Sequence, residues 1–70
     1  MAPQARWQFS MGINRLRPYK GYGYYGDVYF NQSRGRWEAK QYQSSGDILT
    51  QHQSEREAKN ALIKRCEVTV

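Results

Sequence analysis

Only one stretch of this 70-residue chain repeats with the period of an α-helix, and it comes last. Ser54, followed three residues later by Glu57, is a capping box that satisfies two of the amides a helix start leaves without partners. Ala58, Ala61, Leu62 and Cys66 then fall on one stripe, with Ile63 at its margin. Glu55 and Lys59 form an i, i+4 pair in the favourable order, and Lys64 and Arg65 complement the dipole in the last turn. One helix can cover one face of a sheet, and its small residues imply close approach to that face.

Much of what precedes the helix reads in twos. Trp7, Phe9, Met11 and Ile13 alternate with Arg6, Gln8, Ser10 and Gly12, the pattern of a strand with one buried face. Pro18, Gly21 and Gly23 then break regularity, so Arg15, Arg17 and Lys20 are expected on a basic loop over 15–20. Tyr24–Phe30 is rich in β-formers; with Val28 and Phe30 inward, Tyr25, Asp27 and Tyr29 face out. Residues 31–35 form a turn of hairpin length with Gly35 free to take a positive φ. In the next strand, over 36–42, Trp37 and Ala39 face the core, while Arg36, Glu38, Lys40 and Tyr42 face solvent. Residues 44–47 turn, 47–53 form a short strand, and 67–70 alternate in a way that permits a last strand beside the first.

The expectation is therefore an α+β fold: a small antiparallel β-sheet of three to five strands with one C-terminal α-helix packed on one face. Residues 1–5 read as a flexible N-terminus and 6–70 as a single small domain. Seventy residues are near the lower limit for a self-sufficient core, and only 39% are hydrophobic, six of them Tyr. The core is thin, so rings are left over for the surface.

Those rings have basic company. Residues 19–42 hold most of the aromatics, interleaved with Arg, Lys and Gly. Residues 1–40 carry seven bases against two acids, whereas 41–70 carry four of each, which suggests one basic face and one neutral half. A pI near 9.7 favours polyanion partners. Aromatic faces stack on bases and guanidinium groups neutralise phosphates, so the pattern points to nucleic-acid binding without enzymatic chemistry. The candidate nucleic-acid-binding residues are Arg15, Arg17, Lys20, Tyr25, Tyr29, Arg34, Arg36, Lys40 and Tyr42, with Arg34 and Arg36 foremost. The competing reading is a small inhibitor or adaptor docking a protein through the same Tyr/Arg-rich face.

Other chemistries find little support. One His, one Cys and no ligand spacing argue against a metal, and His52 as the only imidazole argues against nucleophilic catalysis. Gly21, Gly23 and Gly26 have dinucleotide-fingerprint spacing but precede a strand instead of opening a helix. No catalytic residue, cofactor or small-molecule substrate is expected. The lone Cys66 allows no internal disulfide, and the absence of a long apolar run argues against a membrane span or signal peptide. A soluble cytoplasmic protein is the expectation.

The order strand, turn, Gly35-Arg36-Trp37-Glu38-Ala39 strand, turn, short strand, Ser54-x-x-Glu57-Ala58 helix resembles a known module. It is similar to the three-stranded-sheet-plus-helix DNA-binding domains of plant ethylene-response factors and to the arm-site-binding domains of phage tyrosine integrases. Leu49, Ser54, Glu57 and Ala58 match positions at that module's last strand and helix start. The resemblance implies double-stranded DNA read in the major groove by Arg34, Arg36 and Lys40, and by analogy a setting in phages or mobile elements. Thr50 stands where the family carries Gly, His52 where it carries an aromatic, and the first 20 residues have no counterpart. The helix also resembles the closing helix of double-stranded-RNA-binding domains, with Arg56 and Lys59 at basic positions and Glu55 where a base is usual.

Overall fold

A computed structural model describes residues 1–70. Five strands run in chain order as an antiparallel meander: β1 (Ala5–Ser10), β2 (Ile13–Pro18), β3 (Gly26–Asn31), β4 (Arg36–Gln41) and β5 (Ile48–His52). The helix α1 (Glu55–Cys66) follows and packs mainly against β3, β4 and β5. It is not long and apolar enough to cross a membrane. The α+β architecture expected from the periodicities is thus the observed one.

The first strand differs from its expected course. The alternation from Trp7 to Ile13 is not one strand but a two-residue hairpin, with Met11 and Gly12 at φ 52° and 81°. Both central residues lie at positive φ, the geometry that matches strand twist, although Met is an unusual occupant. Ile13 therefore opens β2, opposite Ser10. The basic loop over 15–20 is corrected in consequence: Arg15 and Arg17 are strand residues of β2, and of the three bases only Lys20 lies in the loop. The hairpin was missed because Met-Gly lacks the Asn-Gly or Asp-Gly signature of such turns.

Opposed residues of antiparallel strands share a face, so the register sorts the sheet. Trp7–Leu16–Gly26–Gln41–Ile48 and Phe9–Asn14–Val28–Ala39–Thr50 are rows on the helix side. Leu16, Val28, Ala39, Ala58 and Leu62 have no exposed surface, and they form the core with Ala5 and Val68. Helix and sheet approach closely because the contact is built from small residues. At Gly26 a β-carbon would overlap the Lys40 carbonyl oxygen and meet Leu62 Cδ1 at 3.0 Å.

The helix cap follows the sequence with one shift. Ser54 Oγ accepts from the Glu57 amide at 3.1 Å, while the Glu57 carboxylate accepts from the Gln53 amide, one residue earlier than the capping box specifies. At the other end Glu67 takes a left-handed conformation (φ 55°) and reverses the chain, which buries Val68. Thr69 then pairs in parallel with Gln4, accepting from the Ala5 amide at 2.8 Å and donating to the Pro3 carbonyl at 2.9 Å. The last residues thus lie beside the first, and Pro3–Ala5, assigned by sequence to a flexible end, are paired.

Candidate nucleic-acid interface

The face away from the helix is built by the residues between the core positions. Arg6, Arg15, Arg17, Tyr29, Arg36 and Lys40 lie on it with Asp27 and Glu38, since their registers link Arg6 to Arg17, Arg15 to Asp27 to Lys40, and Tyr29 to Glu38. Tyr42, just beyond β4, joins them through its hydroxyl, which donates to Asp27 Oδ2. Arg34 is exposed in the β3–β4 turn, and Lys20 is exposed in the loop after β2. Sequence reading missed Arg6 and Tyr24. The Arg15 and Arg17 guanidinium groups stand 5.2 and 5.9 Å from the Tyr24 ring centre, and Arg6 stands 6.0 Å from that of Tyr19. The Arg6/Trp7 alternation already placed Arg6 outward; its partner Arg17 depended on the unrecognised hairpin.

Tyr25 requires correction. It is half-buried and packs on the core, lining a recess of about 480 Å³ with Pro3, Gln4, Pro18, Tyr19 and Lys20. Its amide donates at 2.7 Å to the carbonyl of Leu16, the residue that register places opposite Gly26. The entry to β3 is therefore out of step with the ladder, and strict alternation does not set the direction of Tyr25.

Asp27 and Glu38, expected to face solvent, are only 8% and 2% exposed. No helix covers them; neighbouring side chains do. Asn31 Nδ2 and Gln51 Nε2 donate to the two Glu38 oxygens at 3.2 and 3.0 Å. The Gln51 bond above all holds the Glu38 carboxyl below the usual range, against the opposing effect of burial, with Asn31, Tyr29 and the Arg34 charge assisting. Burial first, then Glu38, raises the Tyr29 phenol. Burial and the bond to Asp27 push Tyr42 up to about 12. Asp27 also faces Arg15 Nε at 3.9 Å.

The acids are therefore roofed over by phenols, amides and one guanidinium, while Arg6, Lys20, Arg34 and Arg36 are exposed and Arg17 and Lys40 lie half-buried against their neighbours. Only two ion pairs form in the whole chain, Arg15–Asp27 and Lys59–Glu55. Arg6, Arg17, Lys20, Arg34, Arg36 and Lys40 are therefore in no ion pair, although the Arg34 charge acts on Glu38 from a greater distance. Lys40 lies 6.0 Å from the Tyr29 ring centre, and Arg17 donates to Gln8 Oε1 at 2.7 Å. The cations fall into two banks, one on β1, β2 and the following loop, the other on β4 and its turn. β3 lies between the banks, with two inter-strand spacings, about 10 Å, from β2 to β4.

A depressed folded-state pKa stabilises the protein at pH values above the unfolded value, about 4.3 for Glu, and that contribution is lost as pH falls through the folded value. Glu38→Gln should cost about 1–2 kcal/mol at pH 7, because a charged acceptor of two amides is replaced by a neutral one. In urea unfolding the gap between the proteins should narrow as pH drops from 5 toward 2. A gap independent of pH would mean that the carboxylate charge contributes nothing.

No protein-family model, curated protein or solved structure matches this chain.

Proposed function

We propose that this protein is a non-enzymatic nucleic-acid-binding module that engages its target through the outer face of the sheet, with double-stranded DNA favoured. One observation carries the proposal: the carboxylates of that face are buried, whereas Arg6, Lys20, Arg34 and Arg36 are exposed and Arg17 and Lys40 are half-buried without an ion pair. Such an arrangement serves an anionic partner, because a face made only for solubility has no reason to bury its acids. Arg6 directly opposite Arg17 supports the same conclusion, since like charges at opposed strand positions are unfavourable unless an anion separates them.

The favoured duplex rests on width. Five strands span about 19 Å, too broad to enter a major groove of about 12 Å, so the whole sheet would straddle the groove instead of inserting. Two cation banks about 10 Å apart suit the phosphate rows on either side of a groove, with Tyr29 and Asn31 of β3 over the opening. The strand–strand–strand–helix order of β3, β4, β5 and α1 fits the resemblance to the sheet-plus-helix DNA-binding domains. The bond that holds the Tyr42 hydroxyl against Asp27 restrains a ring that a single-stranded stacking surface would splay toward bases.

Mobility shifts with duplex DNA, single-stranded DNA and duplex RNA at two salt concentrations test the proposal. Duplex DNA should shift at the lowest protein concentration, and Arg36→Ala should weaken binding about tenfold while thermal unfolding stays cooperative. Failure of every polymer to shift at low salt would leave protein docking as the better account of this face.

A further inference from the structure

The free edge of β1 has a property that the binding face does not explain. In the β1–β2 hairpin the pairs Ser10–Ile13, Gln8–Arg15 and Arg6–Arg17 alternate with Phe9–Asn14 and Trp7–Leu16. A two-residue turn is closed by a hydrogen-bonded pair, so even-numbered residues of β1 bond to β2 and odd-numbered ones point their amides away. Two bonds fix the same phase independently: Tyr19 N–H donates to the Gln4 carbonyl, and Ala5 N–H donates outward to Thr69. Thr69 thus occupies the edge at Ala5, while the outward amides and carbonyls of Trp7 and Phe9 have no partner in the chain. Residues 6–10 contain no Pro, Lys or acid to discourage pairing.

We infer that β1 pairs antiparallel with β1 of a second copy, centred on Gln8, to join two sheets into one of ten strands. The sequence is self-complementary in this register. Trp7 meets Phe9 of the second copy twice, both as hydrogen-bonding pairs on the helix side; Arg6 meets Ser10, and Gln8 meets itself. No like charges are opposed. Phe9, 69% exposed in the single chain, gains cover. It would come to rest beside a groove of about 410 Å³ between β1 and the helix, lined by Trp7, Lys59, Asn60 and Ile63. The helix packs mainly on β3–β5 and meets β1 at Trp7, where Lys59 and Ile63 flank the ring, so the outward edge of Trp7–Phe9 stays open to a second strand. Val70, 59% exposed beside Ala5, must swing aside to admit it. At the opposite edge the helix reaches β5, where Arg65 donates to Thr50 Oγ1 at 2.6 Å. A two-fold axis perpendicular to the sheet would put both basic faces on the same side.

Sedimentation equilibrium without nucleic acid should give a concentration-dependent dimer. Phe9→Pro removes an outward amide without touching the β1–β2 ladder, and should give a folded monomer. The register is tested by cross-linking in a Cys66→Ser background. Gln8→Cys places two sulfurs on a non-hydrogen-bonded pair with Cα atoms about 4.5 Å apart, within disulfide reach. Mild oxidation should therefore yield a covalent dimer. Arg6→Cys places its two copies about 14 Å apart and should not cross-link. A monomer at every concentration, or Gln8→Cys cross-linking no better than Arg6→Cys, would overturn the inference. Because no polymer is present, neither result bears on nucleic-acid binding.

Discussion

Gly26→Ala should be the most damaging single methyl group that can be added to this protein, lowering stability by about 3 kcal/mol or more. The added carbon has nowhere to go. It would overlap the Lys40 carbonyl oxygen on the neighbouring strand, and it would lie 3.0 Å from Leu62 Cδ1 and 3.2 Å from Gln41 Cα. Two of those three atoms are backbone, so relief requires β3 and β4 to separate or the helix to rise. Either movement opens the core at Leu16 and Leu62, both without exposed surface. For a domain of this size the loss corresponds to a fall in Tm of roughly 12 °C or more. Gly35→Ala is the control: its β-carbon meets nothing, and the positive φ of 65° should cost only about 1 kcal/mol. Thermal unfolding of the two variants decides the matter. Equal losses would mean that the helix does not seat over Gly26 as described.

The second large effect is expected in binding. If five of the outward cations contact phosphates, the logarithm of the duplex-DNA affinity should fall with the logarithm of salt at a slope of about −4.5. Between 50 and 200 mM salt that is a loss of roughly 500-fold. A single strand contacted by the same five groups should give a shallower slope, about −3.5. Arg36→Ala should reduce the duplex slope by about 0.9, whereas Tyr22→Ala, in the loop after β2, should leave it unchanged. Fluorescence titrations at four salt concentrations provide the slopes. A slope near zero with affinity retained would point to an interface held by the tyrosines, and the nucleic-acid proposal would fall.

Much of the framework was legible because it depends on local pattern. The Ser54/Glu57 cap, the Ala58/Leu62 stripe and the alternation around Val28, Trp37 and Ala39 each declare their element within a few residues. The β1–β2 hairpin was hidden because its turn uses Met11 at positive φ, a residue that usually avoids it. Recognition of that turn changes the place of Arg15 and Arg17 from loop to strand and sets Arg6 opposite Arg17. Of the nine candidate site residues, Arg15, Arg17, Tyr29, Arg36, Lys40 and Tyr42 come together on or beside the outer face. Lys20 and Arg34 flank it, and Tyr25 turns to the core.

By itself the sequence determined the kind of elements, their order and the excess of positive charge in the first 40 residues, because propensity, periodicity and composition are properties of neighbours along the chain. Only the tertiary structure decided that Asp27 and Glu38 lie under side-chain cover while Arg6, Arg34 and Arg36 are exposed. That outcome depends on groups 7 to 15 residues away: Asn31 and Gln51 bond to Glu38, and Tyr42 bonds to Asp27. Strand register brings these partners together, and a one-residue slip would carry them to the opposite face.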